Sequence, residues 1–231
     1  MGSKISIIIP VLNEAEGITQ TLSALQEFRA KGHEVVVVDG GSNDATAQLS
    51  QTLSDQVISS SRGRSRQMND GAGAATGDVF LFLHADTHLP DEADTLIVER
   101  LERDNKDWGR FDVRLSGRHL LLRLTGFIMN LRSRLTGICT GDQGIFVRRD
   151  LFEKVGGFPQ IDLMEDITLT RRLKRHGPPL CLRQTVVTSS RRWEKNGILR
   201  TVFLMWRLRL LYFLGLSPER LARIYERHES R

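Results

Sequence analysis

Two cysteines in 231 residues, Cys139 and Cys181, stand in no CxxC or zinc-like spacing. So sparse a pair excludes a disulfide framework and reads as buried apolar filler. The chain also lacks a basic stretch followed by a signal-peptide core, since a strand-like run, Ile5 to Ile9, comes almost at once. A cytoplasmic location is therefore expected. No uncharged run approaches the ~20 residues needed to span a bilayer: the most apolar segment, Ile198 to Leu216, is interrupted by Arg200, Arg207 and Arg209. Helix-turn-helix, zinc and RNP-type motifs are absent, which argues against nucleic acid as a partner. Internal repeats and low-complexity stretches are missing too. What remains, with 40% hydrophobic and 26% charged residues, is an ordinary globular composition, long enough for one large core.

The formal net charge of +5 hides an asymmetry. From Arg171 to Arg231 there are 15 Lys and Arg against 4 Asp and Glu, a balance of +11, so residues 1 to 170 carry −6. A basic C-terminal third suits anionic lipid or an anionic small substrate. On a helical wheel of residues 198 to 216, Arg200 and Arg207 share a side and Arg209 lies nearly opposite. Two placements stay open for this segment: packed on the domain, or lying in a membrane interface, which Trp206 and the arginines would suit.

Continuous apolar runs predict buried parallel strands at Ile5 to Ile9 (ended by Pro10), Val35 to Val38 and Val79 to Leu83, with a short strand at Gln56 to Ser59. Between them, helices are expected over about 14–30, from Asn43 or Asp44 to about Leu53, and over 64–75. This βαβαβαβ order demands a mainly parallel sheet covered on both faces. Beyond Asp86 the pattern predicts a helix from Pro90 or Asp91 to about Arg103, strands at Phe111 to Leu115 and Ile145 to Val147, and a helix over Met164 to His176. Three acidic signatures stand where an apolar run ends or a helix starts: Asp39, Asp86 and Glu165-Asp166. In α/β sheets that edge is where ligands bind, and carboxylates there suit a divalent cation, a ribose or a substrate hydroxyl.

The runs IIIPVLNEAEGI, VVVVDGGSNDAT, SRGRSRQMNDGAGAATGDVFLFLHADT, TGDQGIFVRRDLFEKVGGFP and MEDITLTRRL, in that order over about residues 4 to 193, resemble a family 2 glycosyltransferase. The resemblance implies an α/β GT-A fold, a Rossmann-like, mainly parallel sheet flanked by helices, with a helical C-terminal extension. It implies one domain, with a nucleotide-sugar half at 4–115, an acceptor half at 116–193 and basic, apolar helices at 194–231. Pro10, Asn13 and Glu14 resemble the segment against the base and ribose, and Asp39 the carboxylate that meets base or ribose. Arg64 and Asn69 lie in the family's glycine- and arginine-rich segment, where a guanidinium pairs with a diphosphate. His84-Ala85-Asp86 occupies the DxD position, so Asp86, with His84 in place of the first carboxylate, is the expected site for Mg²⁺ or Mn²⁺. Asp166 resembles the base of inverting members, ahead of Glu165. Asp142 and Gln143 resemble the acceptor loop, and Arg148 or Arg149 a phosphate contact. Arg192 and Trp193 match part of the QxxRW motif of processive synthases, but Ser189 stands in place of Gln.

The activity so implied is transfer of a sugar from a nucleoside-diphosphate sugar, with UDP expected, to the hydroxyl or phosphate of a small or lipid-linked acceptor, with inversion. A peripheral contact through 198–231 with the inner face of the membrane goes with an amphiphilic acceptor. Two other classes stay in view. A catalytically silent nucleotide-sugar-binding or membrane-associated module would account for His84. A nucleotidyltransferase would need a glycine- and basic-rich loop where Pro10-Val11-Leu12-Asn13-Glu14 stands.

Overall fold

Alternation inside the apolar runs decides how they are buried. In the computed structural model, which describes residues 2–229, strand β1 (Ile5–Val11) sends Ile5, Ile7 and Ile9 into one core layer and Ile8 into the other. Strand β2 (Glu34–Asp39) does the same with Val35 and Val37 against Val36 and Val38. Both faces are covered, which is why these strands read as unbroken apolar runs.

The sheet's first half is parallel. β3 (Gln56–Ser59), β2, β1 and β4 (Val79–Phe82) lie side by side in that order, with Ile8 opposite both Val36 and Phe82. β1 runs past the expected stop at Pro10. Ile8 hands its carbonyl to Leu83 N at 3.0 Å, the last bond to the β4 side, while Val11 O accepts from Gly40 N on the β2 side. By strand parity the N–H that Pro10 lacks faces the side where β4 has already diverged, so the ladder loses nothing.

The helix expected over 14–30 is two, α1 (Ile18–Ala24) and α2 (Gln26–Ala30). Gln26 Nε2 donates to Leu22 O at 2.8 Å and to Leu53 O at 2.9 Å. It thereby takes the carbonyl that a continuing helix would use, and the break falls at Leu25. Next come α3 (Thr46–Ser50), shorter than expected, and α4 (Arg64–Ala74), which covers β1 and β2 through Met68 and Ala72.

The second half of the sheet is mixed. After β5 (Thr87–His88), α5 (Ala93–Arg103), β6 (Trp108–Leu115) and α6 (Leu120–Thr136), strand β7 (Ile145–Arg148) enters antiparallel to both β4 and β6. Helices α7 (Arg149–Lys154) and α8 (Glu165–Leu173) follow. β8 (Leu180–Thr188), absent from the sequence reading, pairs parallel with β6 and antiparallel with β5, completing the order β3-β2-β1-β4-β7-β6-β8-β5. Then α9 (Arg191–Asn196), α10 (Ile198–Phe213) and α11 (Pro218–Glu229) close the chain. Leu208 of α10 and Leu221 of α11 pack on Met164 and Ile167 at the start of α8, and Tyr212 Oη lies 2.6 Å from Thr168 Oγ1. No described helix is long and apolar enough to cross a membrane.

At the opposite edge of the sheet from the acidic signatures, Glu34 ties four segments together. Its buried carboxylate accepts from Ser6 Oγ (2.5 Å), Thr76 N (2.8 Å), Thr76 Oγ1 (3.1 Å) and Gln56 Nε2 (3.1 Å). Burial alone would lift this carboxyl, but the bonds from Ser6 and Thr76 outweigh it and hold the group below the usual glutamate range. A folded pKa below the unfolded one gives stability that is present above the unfolded value and lost as pH falls through the folded one. Glu34→Gln is therefore expected to cost about 1–3 kcal/mol at pH 7, with the gap to wild type narrowing below about pH 4. Urea denaturation at both pH values checks this, and a gap independent of pH would refute it.

Candidate active site

The loops that leave β1, β2 and β4 open onto a cavity of about 800 Å³, whose far wall is built by α8, α9 and α10. Pro10, Asn13, Glu14, Arg64, His84, Ala85, Asp86, Asp142, Glu165, Asp166, Arg192 and Trp193 all line it, so twelve of the residues singled out in sequence meet in one place.

The loops that leave β1 and β2 are laced to each other. Asn13 sits at φ 54°, and its Oδ1 accepts from Asn43 N at 2.8 Å while its own N–H reaches Ser42 Oγ at 2.9 Å. Glu14 N donates to Thr46 Oγ1 (2.8 Å). Asp39 is buried just behind this wall, accepting from Ser42 N (3.0 Å), Ser42 Oγ (2.5 Å) and Gly41 N (3.2 Å). It shapes the turn and does not line the cavity. Burial, then the charge of Asp86, raises the Glu14 carboxyl above its ordinary value.

Asp86 follows β4. Its Oδ1 rests against Thr87 Oγ1 (3.4 Å) and Thr188 Oγ1 (3.5 Å), and the carboxylate lines the cavity. His84, expected beside it as a metal ligand, also lines the cavity and engages the acidic loop: Nδ1 lies 3.2 Å from Asp142 Oδ1, and Nε2 abuts Gly141, where an added Cβ would come within 2.5 Å. Burial works against the Asp142 anion, but the His84 hydrogen bond and the charges of His84, Arg64 and Arg209 prevail and hold its pKa down at about 2. His84 is thus a support for the acidic loop. Among the described residues no group of three or more His, Cys, Asp or Glu is placed to share a metal ion. Asp86 offers a hard divalent cation one carboxylate, and its further oxygen ligands would have to come from a bound molecule.

Asp166 is positioned by backbone. Its Oδ2 accepts from Gly141 N (3.0 Å) and its Oδ1 from Ile167 N (2.6 Å), in the first turn of α8. Met164, in the left-handed region at φ 71°, sets the entry of that helix. Glu165 is buried, and burial followed by the adjacent Asp166 charge raises its pKa, with Arg64 Nη1 3.7 Å away opposing. Arg64 is itself held more firmly protonated: burial works against it, but Glu165, Asp142 and Asp166 outweigh that.

Three expected contacts lie elsewhere. Asn69 braces the loop after α7, donating to Phe158 O and accepting from Phe158 N. Gln143 is fully buried and bonds Thr140 N, Ser133 Oγ and Asn130 Oδ1, which makes it a clamp between loop and α6. Because β7 runs antiparallel, Arg148 sits opposite Val79 at the start of β4, the edge remote from the cavity. Its neighbour Arg149 locks Ala75 O and Gly77 O there. Conversely, Thr188, Ser189, Met205, Arg209 and Tyr225 line the cavity without having been expected to. For Arg209 the signal was its position opposite Arg200 and Arg207 on the wheel. Arg192 bonds Tyr225 Oη and stacks over its ring, joining α9 to α11.

Residues 6–156, well over half of the chain, match the model of glycosyl transferase family 2. The chain belongs to this family. Among curated family relatives, the probable glycosyltransferase YdaM of Bacillus subtilis (strain 168) is 28% identical over 236 residues, covering 92% of this chain and 55% of that protein. The undecaprenyl-phosphate 4-deoxy-4-formamido-L-arabinose transferase of Enterobacter sp. (strain 638) is 25% identical over 156 residues, covering 63% and 48%. This family 2 chain therefore spans about half the length of these two relatives. Of solved structures, the mannosyltransferase PcManGT from Pyrobaculum calidifontis, in complex with GDP-Man and Mn²⁺, superposes with a TM-score of 0.66 at 22% identity, covering 97% of this chain and 69% of that one. S. aureus TarS 1–349 in complex with UDP gives 0.66 at 21%, covering 80% and 60%. These likenesses establish the fold as the mixed α/β GT-A type.

Proposed function

We propose that the protein is an inverting glycosyltransferase that moves one sugar from a nucleoside-diphosphate sugar to an acceptor hydroxyl in the cavity. The observation that carries this reading is Asp166, a carboxylate fixed by two backbone N–H groups on the cavity wall formed by α8. Such a group can take the acceptor proton as the acceptor oxygen bonds to the anomeric carbon and the bond from that carbon to the diphosphate breaks. The electron pair leaves with the diphosphate, and Arg64, which lines the cavity, is placed to stabilise it. Asn13, Glu14 and the turn held by Asp39 form the nucleotide side. A divalent cation at Asp86, when bound, would neutralise charge on the leaving diphosphate. The TarS complex with UDP and the PcManGT complex with GDP-Man and Mn²⁺ support a nucleotide donor with a cation, and the undecaprenyl-phosphate transferase supports a lipid-linked acceptor. We take UDP as the first nucleotide to test.

Isothermal titration with UDP and GDP, with Mn²⁺ and with EDTA, tests the donor side. Nucleotide is expected to bind more tightly with Mn²⁺, and Asp86→Ala is expected to remove about tenfold or more of that gain. Nucleotide binding without sugar release from any donor would favour a silent binding module instead.

A further inference from the structure

Among the described residues, every large apolar side chain left exposed, Leu49 apart, belongs to α6, to α10 or to Leu214, which follows α10. The two helices pack against each other. At about 100° per residue, the exposed apolar residues of each helix fall on a single stripe about 100° wide. Phe127 of α6 is 61% exposed, and Phe203 and Trp206 of α10 are 69% and 57% exposed. Opposite each stripe lie the residues that the helix buries, Leu122 and Met129 in α6, Thr201 and Leu208 in α10. A surface helix of an ordinary domain is apolar toward the core and polar toward water. These two are apolar on both sides, which gives their outward face the character of a contact surface.

Charge decides what the surface suits. Neither helix contains an Asp or Glu. Arg123 borders the α6 stripe, and Arg200 and Arg207 border the α10 stripe, all three exposed. Of the other arginines on these helices, Arg134 is tied to Asp112, Arg132 is half-buried and Arg209 lines the cavity. Apolar stripes edged by cations alone match a surface that is hydrocarbon inside and negative at its rim. The stems of the arginines can lie along the apolar face while the guanidinium groups reach the headgroups. A second copy of the chain fits worse, since two such faces laid together would set cationic edges against each other with no acid from either helix to pair with them.

We infer that α6 and α10 together form a docking surface for an anionic lipid bilayer. The helices lie in the plane of its interface, with Phe127, Phe203 and Trp206 turned to the acyl chains and Arg123, Arg200 and Arg207 among the headgroups. The surface extends beyond the C-terminal segment, because α6 comes from the middle of the chain. Phe127, Phe203 and Trp206 stand outside the residues that line the cavity, so docking does not depend on what the cavity binds.

Flotation of the full chain with vesicles of phosphatidylcholine alone, and of phosphatidylcholine mixed with phosphatidylglycerol, tests the surface. The mixed vesicles are expected to bind at least about tenfold more tightly, with a blue shift in Trp emission that Trp206→Phe removes. Phe127→Gln and Phe203→Gln are each expected to weaken binding about tenfold, and Arg200→Gln combined with Arg207→Gln to abolish the preference for anionic lipid. All are expected to melt as wild type does, because the residues are exposed. No binding, equal binding to both kinds of vesicle, or wild-type binding by Phe127→Gln would each overturn the inference. So would a dimer in sedimentation equilibrium that Phe203→Gln dissolves, since a second copy would then be the occupant. UDP titrated into the same proteins keeps the two readings apart: UDP binding without vesicle binding sinks this inference alone, whereas vesicle binding without any nucleotide binding sinks the transferase reading.

Discussion

Asp166→Asn is expected to lower the rate of sugar transfer by about 10³-fold, within the range that a positioned general base contributes, while the fold survives. Asparagine keeps one oxygen for Gly141 N or Ile167 N, so the α8 turn retains one of its two ties. What it loses is the ability to take the acceptor's proton. Glu165→Gln should act differently. Glu165 is buried with Arg64 Nη1 3.7 Å away and lacks the two backbone N–H ties that fix Asp166 on the cavity wall, so a loss of about tenfold or less is expected. Single-turnover transfer, followed separately from donor hydrolysis, measures both. Transfer that proceeds at the wild-type rate in Asp166→Asn would falsify the assignment.

The largest stability effect is expected at Gly109. A Cβ there would meet Leu180 O at 2.4 Å and the Phe146 ring at 2.6 Å, near the start of β6 where it pairs with both β7 and β8. The carbonyl belongs to a backbone ladder and cannot swing aside, so Gly109→Ala forces strands apart. Overpacking of this kind costs about 3 kcal/mol, which for a chain of this size lowers Tm by roughly 6–12 °C. Gly73→Ala is the control: it lies inside α4 with nothing within 4 Å of the added carbon, and a gain of about 0.5–1 kcal/mol is expected. Scanning calorimetry of the two variants decides, and equal melting temperatures would mean that β6 is not clamped on both sides.

The contrast between these two glycines shows where sequence reading works. The runs Ile5 to Ile9, Val35 to Val38 and Val79 to Leu83 are apolar because both faces of the parallel half are covered, so these strands and their alternation with helices were visible. Direction was not. Arg148 follows an apolar run just as Asp39 and Asp86 do, yet β7 is reversed and carries it to the far edge of the sheet. β8 stayed hidden because a register shift at Phe111/Asp112 of its partner breaks the alternation, leaving Arg183 and Gln184 in the middle of the strand. Asn69 and Gln143 were assigned to ligands by their place in motifs, and in the fold they hold loops.

The strand order also carries a consequence for how the molecule assembles during synthesis. β1 to β4 pair with near neighbours in the chain, and these contacts can form once about residue 82 has emerged. β5 at residues 87–88 has its partner in β8, a hundred residues later, and the cavity's far wall waits for α10. A nascent chain therefore holds the loops that follow β1, β2 and β4 in place well before α8, α9 and α10 can close the far wall of the cavity.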